Sequence, residues 1–248
     1  MSLRARSGAA DSGARWGNVN TSGACGQFPA SLPAPMLQIM SWRKVCVQFG
    51  FGRRPLFLRK PYMTSNIDDA QIIAATQKWL EKAVIGLNLC PFAKAVYIKQ
   101  QVRFVVSHAD TPEALLETLM DELQNLSDTD PAQVDTTLLI HPYVLQDFLD
   151  FNEFLDVADA AVEDMQLDGQ LQVASFHPDY QFADVDQNDI SNYTNRAPYP
   201  ILHLLREESI DKAVAAFPDA ADIFETNIAT MNELGHDGWD KLDVGPAK

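Results

Sequence analysis

An alternation of strand-like runs with amphipathic helical segments is the feature that most constrains this fold. Four runs rich in branched and aromatic residues have the composition of strands, at 102–108, 135–144, 171–177 and 198–207. Apolar residues at helical spacing fill 111–126 and 145–165, between the first three runs. Strands that alternate with helices of this length predict an α/β domain.

The connections between the strands predict their directions. A helix joins each of the first three strands to the next, so we expect those three strands to be parallel. No helical segment separates the third run from the fourth, and we therefore expect the fourth strand to be antiparallel. The predicted fold is a single α/β domain, with a mixed sheet of about four strands flanked by helices.

Helix boundaries in the first part of the domain follow from local signals. Ser65 or Asn66 can cap a first helix. The apolar stripe of that helix comprises Ile67, Ala70, Ile73, Leu80, Val84 and Leu87. Pro91 suits the first position of a second helix, which makes Cys90 its N-cap residue.

Similar signals predict the later helices. The helix over 111–126 is expected to bury Leu115, Leu119, Met120, Leu123 and Leu126. Ser209 is expected to cap a short helix. The last helix is expected to end at Gly235, before an extended tail in which Trp239 acts as an anchor.

The charge of the chain changes abruptly near residue 64. Residues 1–64 contain nine Lys and Arg against a single acid, Asp11, whereas residues 65–248 contain 10 basic and 33 acidic residues. The first composition fits an organelle transit peptide and fits equally a start codon placed upstream of Met63. Met63 opens a good helix entry, which favours the upstream start. We expect 1–64 to be a disordered basic arm and 65–248 to be the domain.

The acidic domain excludes several classes of partner. Nucleic-acid binding needs clustered Lys and Arg, so nucleic acid is not expected as a partner. No apolar run approaches the ~20 residues that cross a bilayer, so we expect a soluble domain without a membrane partner. Cys90 is the only cysteine after residue 64, which favours a reducing compartment. The predicted location is the cytoplasm, or an organelle if 1–64 is a transit peptide.

Residues 175–208 are expected to form the rim of a site. This stretch contains two of the five histidines, His177 and His203, together with two of the three arginines after residue 60. Three predicted strands also end in histidine, at His108, His141 and His177. Ligands of open α/β sheets bind outside the carboxyl ends of parallel strands. For His108 and His141 we favour an ordinary role at a strand end.

The residues of this rim suggest a catalytic set. His177 suits a general base oriented by Asp179. Cys90 is a nucleophile candidate because a helix N-terminus favours the thiolate, although a small buried side chain is the commoner role for such a cysteine.

A second group of rim residues is assigned to substrate binding, and it comprises Asn195, Arg196, His203 and Arg206. Arginine binds carboxylate or phosphate with two hydrogen bonds, so a small anionic molecule is the expected partner. A structural role is the commoner one for a histidine inside an apolar strand, as His203 is. An ion pair is the favoured role for Arg206, which lies beside Glu207 and Glu208.

Metal and cofactor sites have weaker signals. His177, His203 and Asp179 form an alternative metal set, but no compact metal-ligand spacing supports it, and no metal ligand is assigned. The run Asp184, Asp186 and Asn188 resembles a calcium loop but lacks its glycine and its final glutamate. The domain has no glycine-rich nucleotide loop, and no cofactor is assigned.

Three stretches resemble the motifs of a known family, in the same order. They are GLNLCPFA (86–93), SFHPDYQFA (175–183) and NYTNRAPYPILHLLREESID (192–211). Together they resemble the mainly bacterial domain of unknown function 1415 family, over residues 67–235. The resemblance favours the upstream start and a cytoplasmic protein. It implies no activity, because none is established for the family.

Three functions are therefore carried forward. In the first, the protein is an enzyme that acts on a small anionic substrate: Cys90 attacks, His177 transfers the proton with Asp179 orienting it, and Arg196 holds the anion. In the second, the same rim binds a small molecule or a protein without catalysis. In the third, His177, His203 and Asp179 hold the metal of a hydrolase.

Overall fold

The computed structural model of the protein describes residues 68–216 and 222–247. The basic arm 1–64 and the predicted cap at Ser65 or Asn66 lie outside the described residues. The helices described are α1 (Asp69–Trp79), a π-helical turn (Leu80–Ile85), α2 (Ala93–Ile98), α3 (Pro112–Asp128), α4 (Phe148–Asp164), a 3₁₀ helix (Ile190–Asn195), α5 (Glu207–Ala216) and α6 (Ile223–Leu242). The strands are β1 (Val102–Val106), β2 (Thr136–Ile140), β3 (Leu171–Phe176) and β4 (Ile201–Arg206).

The four strands form one mixed sheet in the order β1-β2-β4-β3. Strands β1 and β2 are parallel, and β4 is antiparallel to both β2 and β3. The predicted α/β class and mixed sheet are confirmed. The order adds that β4 lies between β2 and β3, so Ile201 at its start pairs with both Ile140 and Phe176 at their ends.

Two apolar cores cover the two faces of the sheet. Alternate strand residues point to opposite faces. The first core lies between the sheet and helices α3 and α4, and includes Leu119, Leu123, Leu139, Phe151, Leu202 and Leu204. The second core lies between the sheet and the α1 segment, and includes Ile72, Trp79, Ala83, Ile140 and Ile201. We call these faces the α4 face and the α1 face.

The first helix differs from its predicted apolar stripe. Ala70 is exposed and Ile73 is half-buried, whereas the buried positions are Ile72, Thr76, Trp79, Leu80, Ala83 and Val84. The helix changes from α to π geometry at Leu80–Ile85. The buried positions recur every three or four residues, as in an α-helix. The predicted stripe is out of phase with this face because it omits Thr76, whose hydroxyl donates to Ile72 O, and Trp79, whose indole donates to Arg196 O.

Two predicted helix starts are wrong. Helix α2 begins at Ala93 after the N-cap residue Phe92, because residues 91 and 92 form a turn; Cys90 is therefore not the cap. Helix α5 begins at Glu207, directly after β4, and Ser209 lies within it. The Ser209 hydroxyl donates instead to the carboxylate of Asp135.

The helical backbone is interrupted at Gly235, as predicted, whereas the predicted extended tail after it is helical. The backbone is non-helical at Gly235 (φ 62°), but helix α6 resumes and runs to Leu242. The resumed part packs Trp239 and Leu242 on the second core, and this burial stabilises the helix beyond the kink.

In α3, Met120 is 39% exposed rather than buried, while Glu122 is buried and paired with Arg103.

No described helix is long and apolar enough to cross a membrane.

Arg206 lies at the end of β4, where its guanidinium holds the C-terminal part of α3. It donates hydrogen bonds to the carbonyls of Leu126, Thr129 and Val134. The last carbonyls of a helix have no partner within the helix, so these bonds satisfy acceptors that would otherwise depend on water. Arg206 connects β4 to the end of α3, at the edge of the sheet opposite to the start of β4.

This arrangement predicts a large effect of Arg206 on stability. Replacing Arg206 with Met should lower the free energy of unfolding by roughly 2–3 kcal/mol, since charged hydrogen bonds to three carbonyls are lost. Urea unfolding followed by circular dichroism measures the change. Lys212→Met, at an exposed position on α5, is the control and should change stability by less than about 0.5 kcal/mol. An unchanged free energy of unfolding in Arg206→Met would contradict the assigned role.

Candidate functional site at the edge of the sheet

The carboxyl ends of β1, β2 and β3 and the start of β4 share one edge of the sheet. Backbone hydrogen bonds extend this edge beyond the strands: His141 N donates to Pro200 O, and His177 N donates to Asn195 O. The predicted rim, residues 175–208, therefore starts at the end of β3 and passes the end of β2 before it enters β4. The histidines after β2 and β3 lie on either side of the segment that contains Asn195 and Arg196.

His177 is buried and both nitrogens of its ring are bonded to backbone groups. Nδ1 accepts a hydrogen bond from the Asp179 amide at 3.0 Å, so the proton is on Nε2, which faces the Leu145 carbonyl at 3.3 Å. The ring also packs on Phe148 and Phe151. Burial lowers the pKa of His177, which keeps the imidazole neutral. These contacts leave neither nitrogen free to accept a proton from a substrate.

Asp179 contacts His177 through its backbone amide, and its carboxylate is on the exposed side. The expected carboxylate–imidazole bond is therefore replaced by an amide–imidazole bond. The pair closes a tight turn after β3, in which Tyr180 N donates to His177 O. This geometry is that of a structural cap at the end of a strand.

His141 is fully buried on the same face, with its ring stacked on Phe151 at 5.5 Å. Its Nδ1 lies 3.1 Å from the Val144 carbonyl, so Nδ1 carries the proton and Nε2 is an acceptor. Nε2 has no hydrogen-bond partner among the described residues. Burial lowers the pKa of His141 to about 3. The imidazole is therefore neutral.

Two other histidines are placed apart from this pair. His108 is exposed, and its Nε2 lies 3.0 Å from Asp69 Oδ2 while its ring stacks on Tyr143. His203 lies on the α1 face in the middle of β4. Its Nε2 donates to the Thr136 hydroxyl at 2.8 Å, since that hydroxyl donates its own proton to Leu204 O. Burial lowers the pKa of His203 to about 4.

Asn195 ends the 3₁₀ helix and is fully buried. Its Oδ1 accepts a hydrogen bond from the Thr194 hydroxyl, whereas Nδ2 has no partner among the described residues. Its backbone carbonyl holds the end of β3 through the His177 amide. The backbone of Asn195 therefore ties the loop to the end of β3, and the next residue carries the charge of the rim.

Arg196 is half-buried and tethered on three sides. Nε donates to Tyr180 O at 3.2 Å, Nη2 donates to Gln187 O at 2.8 Å, and the guanidinium lies 4.2 Å from the centre of the Tyr193 ring. Its backbone carbonyl accepts a bond from the Trp79 indole. Among the described residues, Nη1 has no acceptor and no carboxylate pairs with the guanidinium. The cation is thus held in place with donors left over.

A cleft of about 400 Å³ opens beside Arg196. Its walls come from the loops after β2 and β3, the segment before β4, and the end of α6 with the residues that follow it. The residues that line it are Gln146, Pro178, Tyr193, Arg196, Ala197, Pro198, Tyr199, Trp239, Val244, Gly245 and Pro246. The volume lies in the range of small-molecule sites.

Cys90 lies on the other face of the sheet from His177. The thiol packs at the border of the second core, on the α1 face, whereas His177 packs on Phe148 and Phe151 of the α4 face. Burial raises the pKa of Cys90, and the amides of Phe92 and Ala93 only partly oppose this effect. The structure therefore does not bring Cys90 and His177 together.

The alternative metal set is also separated. His177 and His203 occupy opposite faces of the sheet, and Nε2 of each donates to a protein oxygen. Within residues 68–216 and 222–247, no three His, Cys, Asp or Glu side chains are grouped so that they could hold a metal ion. Arg206, predicted to bind substrate, lies at the opposite edge of the sheet from Arg196.

Sequence reasoning missed the aromatic part of the cleft. Tyr193 and Tyr199 flank Arg196 within three residues, but their side chains could not be assigned to the same cavity from spacing alone. Trp239 is predicted to anchor a tail, because it is an isolated large aromatic residue in a polar segment. It lines the cleft because α6 continues past Gly235.

The buried state of His141 predicts a pH-dependent stability. Its folded-state pKa of about 3 lies below an unfolded value of ~6.5, so the unfolded chain takes up a proton first as the pH falls. Stability is therefore lost between about pH 6.5 and pH 3. Between pH 7 and pH 5, protonation of His141 in the unfolded chain should lower the free energy of unfolding by about 2 kcal/mol.

The variant His141→Phe should remove that loss, with urea unfolding at each pH as the measurement. Gln146 Nε2 also donates to Val144 O, so the carbonyl keeps a partner in the variant. His108→Gln, which removes an exposed imidazole, tests whether the effect depends on burial. An unchanged pH slope in His141→Phe would refute the assignment.

The turn after β3 gives a second prediction. His177→Phe should lower the free energy of unfolding by about 2 kcal/mol, because the Asp179 amide and the Leu145 carbonyl lose their partner. Asp179→Asn should lower the free energy of unfolding by less than about 0.5 kcal/mol, since the backbone amide of residue 179, and not its side chain, donates to His177 Nδ1. Denaturant unfolding of both variants separates the two roles, and equal losses would instead show that the carboxylate holds the ring.

Comparison with known proteins identifies a family for this chain. A family model described as a protein of unknown function (DUF1415) matches residues 71–241. Neither the curated proteins nor the solved structures include a match to the chain. Because the model spans more than half of the chain and all of the sheet, the protein belongs to the DUF1415 family.

Proposed function

We propose that the protein binds a small anionic molecule in the cleft beside Arg196. The single observation that carries the proposal is the guanidinium of Arg196, which lines a cleft and pairs with no carboxylate among the described residues. Acidic residues outnumber basic ones 33 to 10 in residues 65–248, so a cation has many alternative partners. An unpaired, partly desolvated guanidinium favours binding of an anion from solution.

The other two arginines of the domain support this interpretation by contrast. Arg103 makes two hydrogen bonds with the Glu122 carboxylate, and Arg206 donates to three backbone carbonyls. Each of these guanidinium groups has a structural task. Arg196 is tethered through Nε and Nη2, while Nη1 remains for a ligand. A tethered cation loses little side-chain entropy when it binds, which raises its affinity for an anion.

The position of the cleft supports the same function. In open α/β sheets, ligands bind outside the carboxyl ends of the parallel strands. Gln146 follows β2 and Pro178 follows β3, and both line the cleft. One cation in an acidic surface suits a small anion and does not suit the phosphate backbone of a nucleic acid.

Binding is better supported than catalysis by Cys90 and His177. The proton acceptor of that scheme would be His177 Nδ1, which is occupied by the Asp179 amide. The nucleophile would be Cys90, which packs on the other face of the sheet with a raised pKa. The cytoplasmic location expected from the single cysteine of the domain remains part of this proposal.

Anion titrations of the purified chain test the proposal. The probes are acetate, benzoate, inorganic phosphate and phenyl phosphate, at matched ionic strength, with binding measured by calorimetry and by NMR of the arginine Nε–H signals. At least one probe should bind, and Arg196→Gln should weaken it about tenfold or more, since charged hydrogen bonds are worth ~1.5–3 kcal/mol. The affinity of Arg196→Lys should lie between those of the wild type and Arg196→Gln, because lysine keeps the positive charge but lacks the planar guanidinium with its paired donors.

Lys99→Gln is the matched control, because it removes one exposed positive charge that does not line the cleft. Its affinity should equal that of the wild type. Thermal unfolding of each variant shows whether the fold is retained. The proposal fails if no probe binds the wild type, or if a folded Arg196→Gln binds as tightly as the wild type.

A further inference from the structure

The cleft beside Arg196 combines one cation with aromatic walls, and we propose that its ligand is a monocarboxylate attached to a flat aromatic ring system. This inference rests on the proposed anion-binding function and adds the chemical class of the ligand. Three properties of the cleft carry it: its charge, the chemistry of its walls and its size.

The charge of the cleft matches a single carboxylate. Among the described residues that line the cleft, Arg196 is the only one with a formal charge. A phosphate monoester carries a charge of about −1.5 to −2 at neutral pH, so one guanidinium leaves part of that charge unpaired. The surrounding domain is strongly acidic, which disfavours any excess negative charge. A carboxylate carries one negative charge and leaves no such excess.

The guanidinium is oriented before the ligand arrives. Nε and Nη2 are bound to Tyr180 O and Gln187 O, and one face of the group lies on the Tyr193 ring at 4.2 Å. Among the described residues, the donors of Nη1 have no acceptor. A carboxylate needs only one edge of a planar guanidinium, so the remaining donors suffice for this group.

The walls of the cleft suit a flat ring. Tyr193, Tyr199 and Trp239 line it, together with prolines from three different segments. Tyr193 and Trp239 meet edge to face, with ring centres 5.3 Å apart and planes at 78°, so they form two sides of a corner. Aromatic ligands gain stacking and edge contacts on such surfaces that saturated rings do not make.

The segment after α6 completes one wall and is held in place. Val244, Gly245 and Pro246 line the cleft, and the Ala247 amide donates to the Tyr199 hydroxyl at 2.9 Å. At the other end of the segment, Asp243 pairs with Lys78 of α1. A wall fixed at both ends presents a preformed surface, so less entropy is lost when a ring binds.

The size of the cleft sets the size of the ring system. An apolar cavity of ~150 Å³ can hold benzene. The cleft measures about 400 Å³, which leaves room for a fused pair of rings with a carboxylate. The inferred ligand class is therefore a bicyclic or similarly sized aromatic monocarboxylate.

A set of matched probes tests this inference on the wild-type chain. The probes are 2-naphthoate, its saturated analogue decahydronaphthalene-2-carboxylate, and 2-naphthyl phosphate, titrated by calorimetry at constant ionic strength. We expect 2-naphthoate to bind about three- to tenfold more tightly than the saturated acid, the ratio that aromatic contacts of ~0.5–1.5 kcal/mol produce. It should also bind more tightly than 2-naphthyl phosphate.

Variants locate the two contributions. Trp239→Leu should remove the preference for the aromatic acid, while Arg196→Gln should weaken both acids. Phe224→Leu is the control, because Phe224 is an exposed aromatic residue of the same helix that does not line the cleft. It should leave all affinities unchanged. The comparison of ligands on the wild type does not depend on whether Trp239→Leu folds.

The outcomes separate this inference from the function on which it rests. Equal affinities for 2-naphthoate and its saturated analogue, both lost in Arg196→Gln, would overturn the aromatic class and leave anion binding in place. Tighter binding of 2-naphthyl phosphate would overturn the assignment to a carboxylate. Absence of binding by all three, together with absence of binding by the simple anions, would overturn both proposals.

Discussion

The antiparallel hydrogen bonding of β4 to both β2 and β3 is the constraint on which the rest of the structure depends. Ile201, Leu202 and Leu204 of this strand are fully buried and contribute to the cores on both faces of the sheet. Because β4 enters where β2 and β3 end, the segment before it must cross that edge. This crossing places Asn195 and Arg196 between the two strand ends, and the cleft follows from their position.

The buried histidines show how the protein satisfies polar groups at the border of an apolar core. The His177 ring bonds two backbone groups at the end of β3, the Asp179 amide and the Leu145 carbonyl. The His203 ring donates to the Thr136 hydroxyl on the neighbouring strand β2. In both rings the bonding pattern fixes one neutral tautomer, and burial opposes the charged form. Two histidines within residues 175–208 suggest catalysis from sequence, yet the bonds of His177 are those of a structural cap. The site is therefore defined by charge and shape at Arg196.

Much of the fold could be predicted because it depends on local patterns. The strands of branched residues, the Thr111 cap of α3 and the helical connections all follow from sequence periodicity and from propensity. The failures have physical causes. The predicted stripe of α1 omits Thr76 and Trp79, whose burial depends on tertiary packing, and the core beyond Gly235 stabilises a further helical segment where an extended tail is predicted. The sequence favours the carboxylate of Asp179 as the partner of His177, but the backbone amide bonds to the ring instead.

The sequence by itself determined the class of fold, the charge contrast between 1–64 and 65–248, and the stretch in which Arg196 lies. Composition, periodicity and connection lengths are properties of neighbouring residues, so one chain suffices to read them. Only the tertiary structure decided which polar groups meet. Cys90 and His177 were separated by the two faces of the sheet, and Trp239 was brought beside Arg196 from the far end of the domain. Such contacts depend on strand order and on helix packing, which no local pattern specifies.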